Sequence, residues 1–249
     1  MWTGENTILN RAGVPKELLV LASKVLSNFS IPPNGMVIVL DDSDYGDFHN
    51  QAWNKNMAFH ANIRLGGVEE MSPLHLLELM DTGEYEHLVW LSKRACMSFR
   101  MDFVWILSHE LRHLEHNRLS HMLSLTQDFL YQTLGLVEID EPRLATIIPT
   151  ELDAELAAWC ATRQLFGDMI ADSYVREKAG QDLRFAVLLD YKPEKHFDFI
   201  GATVHLLQKY KTQLQNVQHD SDDPLVKDFD IDAICPHLLL HKEDPGIVP

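Results

Sequence analysis

Residues 103–116 read Phe-Val-Trp-Ile-Leu-Ser-His-Glu-Leu-Arg-His-Leu-Glu-His, and this segment constrains the chain more than any other. Its apolar residues Phe103, Ile106, Leu107, Leu111 and Leu114 recur at helical spacing, so the segment predicts an amphipathic helix over 102–118. His109 and His113 are four apart and share one face of that helix, about one turn from each other, at the edge of the apolar stripe. Both imidazoles can therefore reach one metal ion. Glu110 is rotated by about 100° from His109, so it can reach a metal-bound water without being a ligand. Two imidazoles and a nearby carboxylate are what a hydrolytic zinc site needs. The ion acts as a Lewis acid and lowers the pKa of its water, and the carboxylate takes the proton.

A catalytic zinc takes three protein ligands, so a third donor is expected elsewhere. The segment Pro149-Thr150-Glu151-Leu152-Asp153-Ala154-Glu155 supplies candidates. Thr150 and Asp153 have the spacing of a capping box that opens a helix. Glu151 and Glu155, four apart, share a face of that helix, and Ala154 and Ala158 leave room for close helix approach. One carboxylate can bind the metal while the other orients a ligand histidine from behind.

These two segments resemble the gluzincin metallopeptidases, in which His-Glu-x-x-His on one helix is completed by a glutamate on a later helix. Several of those families carry Glu-x-x-Ala-Asp or Glu-x-x-Ala-Asn there. The resemblance implies a zincin-like fold with an active-site helix, zinc held by His109, His113 and Glu151, Glu110 as catalytic base, and Glu155 in the outer acidic position. Glu155 departs from the family's Asp or Asn by one methylene. The run from Phe103 to Leu114 looks most like the small intracellular bacterial peptidases of the ImmA/IrrE and phage-exclusion types, with Arg112 in place of a frequent glycine. The resemblance covers residues 100–160 and implies a protein or peptide substrate. A metzincin extension would need Gly at 116 and a ligand at 119, where this chain has His116 and Leu119. His116 sits about 10 Å along the helix from His109 and reads as a surface or outer residue, as does His121.

The rest of the chain predicts an α+β fold, mostly helical, with a small early sheet. Helices are expected over 15–29, 85–97, 121–134, 150–166, 170–190 and 196–217, with another opening at Ser72-Pro73. Met36–Leu40 reads as a strand ending at Asp41-Asp42. Met57–Leu65 alternates, with Phe59 and Ile63 on a buried face and His60, Asn62 and Arg64 on a cleft or solvent face, as in an edge strand. The acidic run Asp41, Asp42, Asp44, Asp47 lacks the glycine and terminal glutamate of a calcium loop and reads as a polar loop. A single domain over 1–249 is expected, with 219–249 an irregular tail in which Ile231–Leu240 is apolar enough to pack back.

The formal net charge of -16 argues against nucleic acid as a partner, since no basic cluster offsets it. Three cysteines without a CxxC pair fit a reducing compartment. The N-terminal residues lack a signal-peptide pattern, and no stretch has the roughly 20 apolar residues of a membrane span. These features point to a cytoplasmic protein with no membrane association. Candidate donors to a developing oxyanion are Tyr131, Tyr174, Tyr191, His196, His205 and Tyr210, and the sequence does not choose among them. The rival readings are a non-enzymatic regulator or interaction protein on the same fold and a zinc hydrolase of non-peptide substrates.

Overall fold

The computed structural model describes residues 6–30, 35–43, 57–63, 76, 85–137, 148–193 and 196–241. The fold is α+β and mostly helical, with its sheet early in the chain. Two compact units divide it, residues 1–115 and 116–248, and the boundary falls inside one continuous helix, Arg100–Leu119. Among the described residues, no helix is long and apolar enough to cross a membrane.

The first unit is built on four strands: β1 (Asn6–Asn10), β2 (Met36–Leu40), β3 (Ala58–Asn62) and β4 (His87–Leu91). Their order is β1-β2-β4-β3, parallel except for β3, which runs antiparallel to β4 at the sheet edge. Every residue of β2 and β4 is buried, as expected of central strands covered on both faces. The helix expected over 85–97 is therefore β4 followed by the short helix α2 (Lys93–Cys96). The run His87-Leu88-Val89-Trp90-Leu91 is short, apolar and rich in strand-forming side chains, and periodicity alone does not separate such a run from a buried helical turn. β1 was not expected, because five residues flanked by asparagines carry little pattern.

The alternation over Met57–Leu65 corresponds to β3. Phe59 and Ala61 are buried with Val37, Val39, Leu76, Leu88 and Trp90, and Ile63 is half-buried against the same cluster. Phe59 pairs directly with Trp90 across the strands, their rings 5.3 Å apart and stacked. His60 and Asn62 are half-buried, and His60 Nε2 meets His87 Nδ1 at 3.1 Å. Arg64, Leu65 and the helix start at Ser72-Pro73 lie outside the described residues.

Turn chemistry holds the ends of these strands. Gly35 has φ 101°, and a Cβ there would lie 3.3 Å from Glu86. Glycine is thus required at the start of β2. Asp41, fully buried after β2, accepts hydrogen bonds from Trp90 Nε1 at 2.8 Å and Ser43 Oγ at 2.7 Å. Its carboxylate secures a turn, and Asp44 and Asp47 lie outside the described residues. Helix α1 (Lys16–Leu26) buries Leu18, Ala22, Val25 and Leu26, the spacing expected of one helical face.

The helix that crosses the boundary is α3 (Arg100–Leu119), close to the predicted span. The second unit is otherwise helical. It contains α4 (His121–Thr133), α5 (Pro149–Phe166), α6 (Asp168–Ala179), α7 (Leu183–Leu188), α8 (Phe199–Lys209), α9 (Lys211–Asp220), α10 (Pro224–Lys227) and α11 (Ile231–Leu240). Two long predicted helices are each broken. The 170–190 segment stops at Gly180 and restarts where Asp182 caps α7, and the 196–217 segment breaks at Tyr210. The expected irregular tail is corrected as well, since 224–227 and 231–240 are helical. Asp230 accepts from the backbone of Asp232 and Ala233 to start α11. Ile231, Ile234, Cys235 and Leu238 then enter the core cluster that holds Phe129 and Phe229, whose rings stack at 4.0 Å. Gln218 Nε2 donates to Val226 O at 2.8 Å and Phe229 O at 2.7 Å, which satisfies two carbonyls in the connection.

Candidate metal centre

Helix α3 buries Phe103, Leu107, Leu111 and Leu114 completely, and also Val104, Trp105 and Ser108. It is thus covered more widely than one apolar stripe requires. His109, Glu110 and His113 remain half-buried. The two imidazoles converge: His109 Nε2 and His113 Nε2 are 3.0 Å apart, with the rings edge-on at 4.6 Å.

Polar groups pin the helix just beyond them. Arg112 Nη1 donates to Glu115 Oε2 at 2.7 Å, and the buried Glu115 accepts the Ser30 backbone N–H at 2.7 Å. A charge-assisted bond of this kind is short and directional. Arg112 thus acts as the partner of a buried carboxylate.

In the second unit, the last turn of α3 is fastened to α5. His116 Nε2 meets Asp153 Oδ2 at 2.7 Å, with both residues buried and Phe199 packed 4.6 Å from the imidazole. This revises two expectations. Of the two readings of His116, a surface or an outer residue, its burial rules out the first. Asp153 belongs to no capping box, since α5 opens at Pro149 after Ile148 with no side-chain cap. Proline at the first helical position needs no N–H partner there, which leaves the Asp153 carboxylate available to His116.

Two residues before Asp153, Glu151 is half-buried and its Oε1 accepts from Gln127 Nε2 of α4 at 2.8 Å. One ligand atom each from His109, His113 and Glu151 lies within 4.8 Å of the others. A tetrahedral zinc with bonds of about 2.0–2.2 Å wants its ligand atoms about 3.3 Å apart. The two Nε2 atoms, at 3.0 Å, are close to that, and two imidazoles with one carboxylate form a suitable donor set. The residues present fit the ion.

Glu155, one turn after Glu151, is buried, with its Oε1 4.0 Å from Nη1 of Arg184. The Arg184 guanidinium is held above its ordinary value first by hydrogen bonding to Asp182, with the charges of Glu155, Asp182 and Glu151 adding and burial opposing. The same bonds hold the Asp182 carboxyl below its usual range.

Most of the candidate oxyanion donors have other surroundings. Tyr174 is buried edge-on to Phe185 with Lys178 over its ring. Tyr210 is buried under Lys209, and Tyr191 packs edge-on to Phe197. His196 and His205 are exposed. Tyr131 is exposed on α4, one turn after Gln127.

Sequence reasoning missed that Gln127 bonds to the candidate ligand Glu151, that Asp153 bonds to His116 and that Arg184 lies near Glu155. Asp153 carried a signal, since an acidic residue two positions after Glu151 cannot share its face and needs another partner. Gln127 and Arg184 carried none. No family model matches the chain, and no curated protein and no solved structure matches it significantly.

Proposed function

We propose that this chain is a zinc-dependent hydrolase, an endopeptidase of the gluzincin type that cleaves a protein or peptide substrate in the cytoplasm. The observation that carries the reading is the convergence of His109, His113 and Glu151, two imidazoles and one carboxylate, beside a carboxylate that follows the first histidine. When bound, zinc supplies a Lewis acid and brings the pKa of water toward neutrality.

The chain's own residues supply the rest. Gln127 holds one oxygen of Glu151, which orients the carboxylate toward the histidines. His116 and Asp153 fix the end of the motif helix, so that the ligands are positioned before substrate arrives. Glu110 takes the proton from the attacking water and passes it to the departing amine nitrogen. The edge strand β3 offers a backbone ladder along which an extended peptide can add. An odd number of cysteines with no CxxC pair fits a reducing compartment.

The test uses protein purified without chelator and begins with elemental analysis, where about one zinc per chain is expected. Wild type and Glu110→Gln are then incubated with a cell lysate and the fragments identified by mass spectrometry. Fragments made by wild type alone support the proposal. No zinc, together with no binding on titration, overturns it. One zinc per chain with no wild-type-specific fragments favours the non-enzymatic regulator.

A further inference from the structure

The side chain of Arg184 is held in place more firmly than an exposed arginine requires. Asp182 caps α7 through the Arg184 backbone N–H at 2.9 Å, and its carboxylate also takes Nη2 at 2.8 Å and Nε at 3.2 Å. A guanidinium gripped along one edge has lost most of its freedom, and its other edge, Nη1, points in a fixed direction. That edge faces the acidic side of α5, where Glu155 Oε1 lies 4.0 Å from Nη1. Glu151 is one helical turn before Glu155 on the same face.

The separation of 4.0 Å is beyond hydrogen-bonding range, and the Arg184 side chain is 56% exposed, so the ion pair with Glu155 is solvent-screened. Such a pair is weak, so it is Asp182 and not Glu155 that fixes the guanidinium. Among the described residues, no hydrogen bond engages Nη1, which leaves two N–H donors of a permanent cation directed toward the helix that carries the third ligand. By contrast, Arg163, further along α5, is turned to Asp168 and Asp172.

We propose that Arg184 is the anion-binding arm of the site: its Nη1 donates to the substrate oxygen that becomes negative during peptide-bond cleavage and to the carboxylate product. This rests on the proposed hydrolase reading and supplies the oxyanion donor that the tyrosines and histidines left unassigned. A preorganised cation aimed at developing charge is worth more than one that must be recruited. Asp182 is the positioning residue that keeps the guanidinium aimed.

The experiment measures ligand binding, so no natural substrate is required. Zinc is exchanged for cobalt(II), whose visible absorption reports changes in coordination, and the protein is titrated with acetate and, separately, with neutral imidazole. Arg184→Ala should weaken acetate about tenfold, the scale of one partly exposed charge-assisted hydrogen bond, and leave imidazole unchanged. Arg184→Lys, a second variant that keeps the charge, should recover part of the acetate affinity. Equal acetate affinity in wild type and Arg184→Ala overturns the proposal, as does an absence of acetate binding to the wild-type cobalt protein. Parallel weakening of acetate and imidazole also overturns it, because Arg184 would then act only through the shape of the metal site. If wild type shows no cobalt absorption at all, the metal-site reading itself fails and this proposal falls with it.

Discussion

The central strands are buried throughout and almost wholly apolar, whereas the helices of the candidate site are buried over part of their surface and take charged side chains in with the hydrocarbon. β2 and β4 bury Met36, Val37, Ile38, Val39, Leu40, Leu88, Val89, Trp90 and Leu91, with His87 the one polar side chain among their ten residues. Helices α3 and α5 bury Glu115, His116, Asp153 and Glu155. Burying hydrocarbon stabilises by about 25 cal/mol per Å², whereas burying a charge costs several kcal/mol unless it is paired. Buried hydrocarbon stabilises both regions, and in the central strands it is nearly all that is buried. The helices hold polar groups at that cost, which their pairing only partly offsets, and what they gain is fixed geometry. Buried carboxylates and imidazoles in short hydrogen bonds position their neighbours in a way that hydrocarbon contacts do not.

The sharpest way to break this contrast is to remove a ligand. His113→Ala should abolish zinc binding, an effect well beyond the roughly 10–100-fold typical of an outer partner, while leaving the thermal midpoint of the metal-free protein nearly unchanged. Zinc titration and a melt in chelator check the two halves. A large drop in the metal-free midpoint would mean that the motif helix also serves stability.

The sheet should respond in the opposite sense. Leu88, fully buried in β4, should cost about 2–5 kcal/mol on substitution by alanine, because transfer and cavity terms add. Urea unfolding measures this, with zinc affinity measured on the fraction that remains folded. Affinity should stay within about twofold of wild type, and a larger change would couple the sheet to the site.

A finer comparison lies within α5. Glu151→Gln should lower zinc affinity more than Glu155→Gln, because losing a charged ligand outweighs losing a carboxylate that faces Arg184. The outer substitution is expected to cost about 10–100-fold at most. If Glu155→Gln releases zinc and Glu151→Gln does not, the two roles are exchanged.

The smallest effect concerns Cys96, buried beside the sheet with its thiol pushed up to about 12, chiefly by burial. Native protein at pH 8 should leave this thiol unreactive to a disulfide reagent until denaturant is added. Linkage gives the sign. The unfolded thiol ionises above about 8.5 while the folded one stays neutral, so stability falls as pH rises from there toward 12. A Cys96 that reacts at pH 8 without denaturant would show that the sheet opens locally.

How much was legible varies with what each residue answers to. The motif helix was readable nearly to its ends because helical periodicity, a buried stripe and the four-residue histidine spacing all agree. β2 was equally clear, since proline and glycine precede a run of five apolar residues and Asp41-Asp42 end it. β4 was misread because a short, continuously apolar run has no periodicity to distinguish strand from helix. The breaks at Gly180 and Tyr210 were missed for a related reason, as apolar residues on either side keep a helical spacing that conceals the cap at Asp182. The pairing of His116 with Asp153 was not legible because a buried polar pair is a contact between distant segments, and neither residue alone shows where its partner is.

The sequence by itself determined the local chemistry: which residues could hold a metal, which carboxylate stands one position beyond the first histidine, and that Glu151 and Glu155 share a face. Those facts follow from the geometry of a single helix, which is fixed by backbone hydrogen bonds whatever surrounds it. Only the tertiary structure decided that Asp153 locks to His116, that Gln127 grips Glu151, and that Arg184 turns one edge toward the same helix. The segments involved lie up to 37 residues apart for the first pair and 24 for the second. Their meeting depends on how the helices pack, which is set by the summed burial of many side chains and not by any spacing along the chain.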